Sequence, residues 1–252
     1  MVQEKVLKWL QSTGFPLEMA AANAFRRAGF EIRQSTVYTD SETGKGREID
    51  IIAADQDWIG TVNISCVLEC KASTKPWVVL TSDDAWAAFN RLSMFAVMSD
   101  LAKECLATRI AERAIQSHIQ RPARGGYGLR QALADGGDAA YTASCNAMKA
   151  SMSIARAESQ LASPSASFAF PIIVVDTQIF ECSLLSNGEL DLREVQESEF
   201  LFSMRVPESI TTCIKIVTKD SLPAFALKAK RSADQLRSDL KNEEQAILKS
   251  LL

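Results

Sequence analysis

The sequence predicts a mixed α/β protein, one β-sheet flanked by helices and carrying a helical insertion. Strand-like runs gather in two blocks, at about 30–72 and 167–218. A stretch of helical periodicity, about 84–162, lies between them, and no polar linker is long enough to divide the chain into separate domains. With 252 residues the chain sits at the upper end of what one domain reaches, and a single domain over 1–252 is the expectation.

Residues 3–11 read as a short helix that stops at Ser12-Thr13-Gly14. PLEMAAANAFRRAG follows as a second helix, with Pro16 near its first turn and Gly29 at its close. Leu17, Ala21, Ala24 and Ala28 form its apolar stripe, and Glu18 lies beside that stripe rather than opposite it. Three strand candidates come next: FEIRQSTVY, REIDIIAAD and NISCVLECKA. TDSETGKG supplies turn chemistry between the first two, and the second connection falls near Asp55-Gln56-Asp57. VVL leads into the helical stretch, which breaks at RPARGGYG; Pro122, Gly125, Gly126 and Gly128 there predict a flexible connection. Another helix is expected over about 139–161. FAFPIIVVD reads as an interior strand, IFECSLL-SNG-ELDL as a hairpin turning at Asn187-Gly188, and TTCIKIVTK as a further strand. A C-terminal helix over about 232–251 completes the chain, with Ser232 and Gln235 matching a capping box.

Composition narrows the function. The chain is 47% hydrophobic and 23% charged, as for a protein that buries a core, and its net charge is -3. No basic run marks a non-specific polyanion binder, although a local cleft can be positive on an acidic protein. Six cysteines without a C-x-x-C pair, and the single His118, argue against a Cys/His zinc site and fit reduced thiols. MVQEKVLKWLQSTGFP has no long apolar segment, and no run of about 18 apolar residues occurs. No export signal, no membrane span and a cytoplasmic location are the expectation.

Two strand candidates carry charge where a core strand prefers none. Residues two apart in a strand share a face, so Val67, Glu69 and Lys71 point one way while Cys66, Leu68, Cys70 and Ala72 point the other. Hairpin-like pairing of REIDIIAAD with NISCVLECKA would bring Asp50 close to Glu69. Two converging carboxylates repel each other unless a cation sits between them. Mg²⁺ is held by one or two carboxylates together with water and phosphate oxygens. A lysine beside it can orient or deprotonate the attacking water, or neutralise developing charge. An isolated E-x-K is more often a solvated strand edge, so the wider order of elements matters.

That order is a helix with Glu18, a strand, a strand with Asp50, a strand with Glu69-Cys70-Lys71, then a helix. Over roughly residues 12–100 it resembles the PD-(D/E)xK nuclease superfamily. GREIDIIA is similar to the first acidic motif of its resolvase-like and Mrr-like branches, with Ile49 standing in place of Pro, and VLECKAS is similar to the E-x-K motif. The resemblance implies a restriction endonuclease-like fold, its nuclease core at about 12–100 and completed by the strands at about 167–218. It implies Asp50, Glu69 and Glu18 as metal ligands, Lys71 as the catalytic lysine, and Glu18 assisting. Mg²⁺ (or Mn²⁺) would be the cofactor and DNA, rather than RNA, the partner, in restriction, repair or phage defence.

A homodimer is expected because the two strands of a duplex need two sites. Lys75 and Arg47 are candidate phosphate contacts. Trp77 is either a base-stacking residue or a core tryptophan after a turn. RPARGGYGLR lacks the P-loop pattern. The rival reading is the same fold kept as a non-catalytic nucleic-acid-binding or protein-interaction module, against which stands the intact set Asp50, Glu69 and Lys71.

Overall fold

The run VNISCVLECK carries apolar or small side chains at most positions, a pattern suited to a strand covered on both faces. It forms β3 (Val62–Lys71), which pairs antiparallel with β2 (Gly46–Gln56) and parallel with β7 (Ala166–Val175). The computed structural model describes residues 1–57, 59–86, 94, 96–111, 124–134, 136, 138–159, 165–205 and 209–250. His118 and Pro122 lie outside them.

Around β3 stand β1 (Glu31–Thr39), β4 (Trp77–Ser82), β5 (Val97–Met98), β6 (Gly125–Gln131), β8 (Ile179–Leu184), β9 (Leu190–Val195), β10 (Glu197–Met204) and β11 (Ile210–Thr218). All join one mixed sheet in the order β1-β2-β3-β7-β11-β10-β6-β4-β8-β9, with β5 added against β7. The helices are α1 (Val2–Gln11), α2 (Phe15–Ala28), α3 (Asp100–Ala111), α4 (Ala139–Ser159), α5 (Leu222–Asp239) and α6 (Lys241–Ser250).

Strand alternation sorts the core into two layers. Ile51 and Ala53 of β2 join Cys66 and Leu68 of β3 in a cluster with Leu17, Ala21 and Phe25 of α2 and Phe225 and Leu236 of α5. Ile52 and Val67 point to the other face, into a cluster with Ala143, Ala147 and Met148 of α4. The α/β architecture expected from sequence is therefore present, as a large sheet with helices on both faces. The helix ends follow local chemistry: α2 has Pro16 in its first turn and stops where Gly29 takes φ 102°. Gly188, at φ 85°, turns the β8–β9 hairpin.

The register of β2 on β3 is pinned at the turn between them. The Asp57 carboxylate accepts the backbone N–H groups of Ile59, Gly60, Thr61 and Val62 together with the Thr61 hydroxyl. Burial alone would raise its pKa, but these donors hold it down at about 2. Arg237 of α5 donates to the Asp55 and Val62 carbonyls and clamps both strand ends.

Three expectations need correction. The stretch 84–162 is not wholly helical, because β5 and β6 lie within it. Gly125, Gly126 and Gly128 of RPARGGYG lie in β6 instead of a flexible connection, and the first two serve close approach. A Cβ on Gly126 would lie 2.4 Å from the Glu199 carbonyl oxygen and 2.6 Å from Val79, and one on Gly125 would meet the Trp86 ring at 2.7 Å. The C-terminal helical stretch begins at Leu222, with Pro223 in the first turn of α5, and divides into α5 and α6, so Ser232 is an exposed mid-helix residue and no cap. The run ESEFLFSM, charged at its start, is β10, which the sequence reading leaves without a structure.

Gly126→Ala should therefore destabilise the protein by about 1–3 kcal/mol or more, because backbone sits where the methyl must go. Gly128→Ala, whose Cβ would find only Leu80 at 3.9 Å, should be near neutral. Urea unfolding of both variants checks the contrast.

Candidate active site

The β2–β3 ladder runs from Gln56↔Asn63 to Ile51↔Leu68. One further step in the same register sets Asp50 against Glu69. There the ladder stops and the Asp50 carboxylate takes over as acceptor, with Cys70 N–H donating to its Oδ2 at 2.7 Å. On its other side β2 is interrupted too. Gln34↔Ile51 and Thr36↔Ile49 are paired, while Ser35, at φ 53°, is passed over. Ile49 consequently falls in the same core cluster as Ile52, so alternation breaks at Asp50. A non-glycine residue in the left-handed region costs of order 1 kcal/mol, and such residues concentrate where function needs them.

Glu69 is 6% exposed, as far from water as an ordinary core side chain. Its Oε1 meets Lys71 Nζ at 2.5 Å and the Asn146 side-chain amide at 2.9 Å. Lys71 shares the Glu69 face, as alternation requires, and Asn146 comes from α4, which covers that face. Cys70 packs with the opposite cluster.

The charges of this end of the sheet act on one another. Burial, then the neighbouring Glu69, pushes the Asp50 carboxyl up from 3.8 to about 6, against the pull of Cys70 N–H and Lys71. Glu18 on α2 is raised by burial, by Glu48 and by Glu69, with Lys71 opposing. Burial would lower the Lys71 pKa, but Glu69 and Asp50 outweigh it and the net shift is upward. Lys71 is thus a firmly held ammonium. It is suited to donating and to neutralising charge, and poorly suited to taking a proton from water.

Asp50, Glu69, Lys71 and Glu18 are therefore brought into one electrostatic neighbourhood. The nucleic-acid contacts read from sequence fare differently. Trp77 is fully buried in the core, where its ring cannot stack on a base. Arg47 lies 3.7 Å from Asp40, half exposed. Lys75 is half-buried in the turn after β3, whose backbone is tied to Asp176 and Thr177 beyond β7. Two neighbours escaped the sequence reading. Glu48 lies two residues before Asp50. Asn146 is a poor helix former set in a helix of small residues, and that polar intrusion was the available signal.

The residues that the motif resemblance offers as ligands for a divalent ion are Asp50, Glu69 and Glu18. Among the described residues no group of three or more His, Cys, Asp or Glu side chains is arranged to hold a metal ion. At Glu69 the neighbouring positive charge is the Lys71 ammonium. The donor chemistry still fits a hard cation, since Asp50 is an acid whose ionised form is disfavoured where it stands. Glu69 Oε2 takes part in neither of the two contacts.

Asp50→Asn keeps an acceptor for Cys70 N–H and removes the charge. Between about pH 4 and 6 folded wild type holds a proton that the unfolded chain has released, so its stability falls as pH rises through that window. The variant should be more stable than wild type at pH 8 by on the order of 1–3 kcal/mol. Below about pH 4 the two should converge. Urea melts at both pH values measure this.

Comparison of the chain with protein-family models, with curated proteins and with solved structures returns no match.

Proposed function

We propose that the chain is a divalent-metal-dependent nuclease that hydrolyses DNA phosphodiester bonds, with a restriction endonuclease-like core built from α2, β1, β2, β3 and β7. The observation that carries this reading is the β2–β3 register, which sets Asp50 against Glu69 with Lys71 on the same face. The order of α2 and the antiparallel strands β1-β2-β3 supports it, as does the position of Glu18 within electrostatic reach of the pair.

Asp50 and Glu69 would hold Mg²⁺ or Mn²⁺, with Glu18 assisting from α2. When bound, such an ion supplies Lewis acidity toward the phosphoryl oxygen and acidifies water. The protein's own groups do the rest. Asn146 fixes the Glu69 carboxylate from α4. Lys71, kept protonated by the two acids, donates to the charge that builds on the phosphate as the bond to the leaving oxygen lengthens. Asp50 must be ionised to act as a ligand, and its raised pKa makes the site sensitive to pH below about 6. Duplex DNA as substrate would engage two copies of the chain, one for each strand.

One observation favours a second reading, a nuclease-like fold kept for binding. Lys71 and Asn146 together satisfy Glu69 without an ion, and a module that never binds metal could keep that pair.

Cleavage assays separate the two. Plasmid, linear and single-stranded DNA, with RNA alongside, are incubated with wild type, Lys71→Ala and Glu69→Gln in Mg²⁺, Mn²⁺ or EDTA. The nuclease reading expects metal-dependent cleavage that Lys71→Ala lowers by at least about 100-fold and Glu69→Gln removes. Equal cleavage by all three proteins would sink the assignment. Binding without cleavage in any metal would establish the second reading.

A further inference from the structure

The turn joining β1 to β2 and one face of α4 enclose a cleft of about 370 Å³, lined by Tyr38, Thr39, Asp40, Lys149, Ser153 and Arg156 among others. Helical spacing puts Asn146, Lys149, Ser153 and Arg156 on a single stripe of α4, each three or four residues from the next. The stripe starts at the candidate active site, where Asn146 donates to Glu69. It then passes Lys149, whose ammonium lies 3.1 Å from Asp40 Oδ2 and 2.7 Å from Glu42. It ends at Arg156, which donates to Ser41 Oγ at 3.1 Å. From Asn146 to Arg156 the helix rises about 15 Å. That is room for several phosphates of one strand, which step about 3.4 Å along a duplex axis.

The two carboxylates along this cleft differ in burial. Asp40 is buried and committed to the turn, accepting from the Glu42 backbone N–H at 3.0 Å and from Lys149. Arg47 approaches the same carboxylate from β2. Among the described residues, Lys149 and Arg47 face Asp40, Lys149 also meets Glu42, and Arg156 lies one turn further along beside Ser41, so that three cations gather at this cleft on a chain whose net charge is -3. Glu42 is the exposed member, able to swing away from Lys149. Tyr38 lies within electrostatic reach of both Asp40 and Glu69. Burial and Asp40 raise its hydroxyl pKa, and Lys149, Glu69 and Arg47 act on it as well.

We infer that this cleft is a binding track for the phosphodiester backbone of a nucleic-acid strand that leaves the Asp50–Glu69–Lys71 end along α4. Arg156 and Lys149 take successive phosphates, and Glu42 gives up Lys149 as a phosphate arrives. The inference deepens the nuclease reading and rests on it for the class of substrate. Phosphate contacts of this kind confer affinity and register without sequence preference.

The test is equilibrium binding without cleavage. Labelled single-stranded DNA, its duplex and the matching RNA are titrated, in Ca²⁺ and in EDTA, into wild type, Arg156→Gln and Ser153→Glu. Ser153→Glu places a negative charge in the cleft while removing neither Lys149 nor Asp40, so the buried carboxylate keeps its own partner residue. Lys228→Gln on α5, outside the cleft, serves as control.

Each cleft variant should weaken binding about 5–10-fold at 0.1 M salt, and Arg156→Gln should reduce the salt slope by about one. Lys228→Gln should do neither. The nucleic acid bound more tightly, DNA or RNA, identifies the source of the backbone. Wild-type binding that neither cleft variant weakens overturns the track, as does a wild type that binds no nucleic acid. Parallel cleavage assays keep the two ideas apart. Cleavage abolished by Asp50→Asn, with binding indifferent to the cleft, would retain the nuclease and reject the track. Cleft-dependent binding with no cleavage in any metal would do the reverse.

Discussion

The ion pair between Lys71 and Glu69 is the contact on which the functional end of the sheet depends. Glu69 is held away from water in the strand between β2 and β7, where an unpaired carboxylate costs several kcal/mol. A second acid, Asp50, is set against it by strand register. Repulsion between the two is relieved by protonating Asp50, by Lys71 and by the Cys70 N–H together. Such an arrangement is a poor way to stabilise a fold. On the proposed nuclease reading it suits a place where a cation is to be received, with Lys71 as the charge that ion would displace.

The geometry is maintained from a distance. Asp57 gathers the N–H groups of the β2–β3 turn, and Arg237 of α5 ties the turn to the helical layer. A slip of one residue would send Asp50 and Glu69 to opposite faces. At the far end of the hairpin, the loss of alternation at Asp50 and the left-handed Ser35 release the carboxylate from the regular ladder. One end of the hairpin is thus locked so that the other can be irregular. From α4, Asn146 orients Glu69, and the same helical stripe continues into the cationic cleft.

What could be read in the sequence was whatever depends on near neighbours. Alternation in CVLECKA placed Glu69 and Lys71 on one face, Pro16 and Gly29 bounded α2, and Asn187-Gly188 marked a hairpin turn. Pairing between distant segments was less legible. GGYGLRQ looks like a connection because its glycines suggest freedom, whereas here they admit the Glu199 backbone and the Trp86 ring. Ser232 and Gln235 match a cap by spacing, but a helix already running from Leu222 presents the same residues to solvent. Trp77 follows the E-x-K motif closely, yet the parallel pairing of β4 with β8 buries it. Asn146 reaches the site, and Lys149 the neighbouring cleft, only through the packing of α4 on the sheet, which no local pattern in β2 or β3 announces.

The central claim is that the Asp50–Glu69 pair is a cation site held shut by Lys71. Anomalous diffraction from crystals soaked in Mn²⁺ addresses it most directly. A peak is expected between the Asp50 and Glu69 carboxylates, with the Lys71 ammonium moved off Glu69 Oε1. Density for Mn²⁺ elsewhere only, with the Lys71–Glu69 pair unchanged at saturating metal, would contradict it.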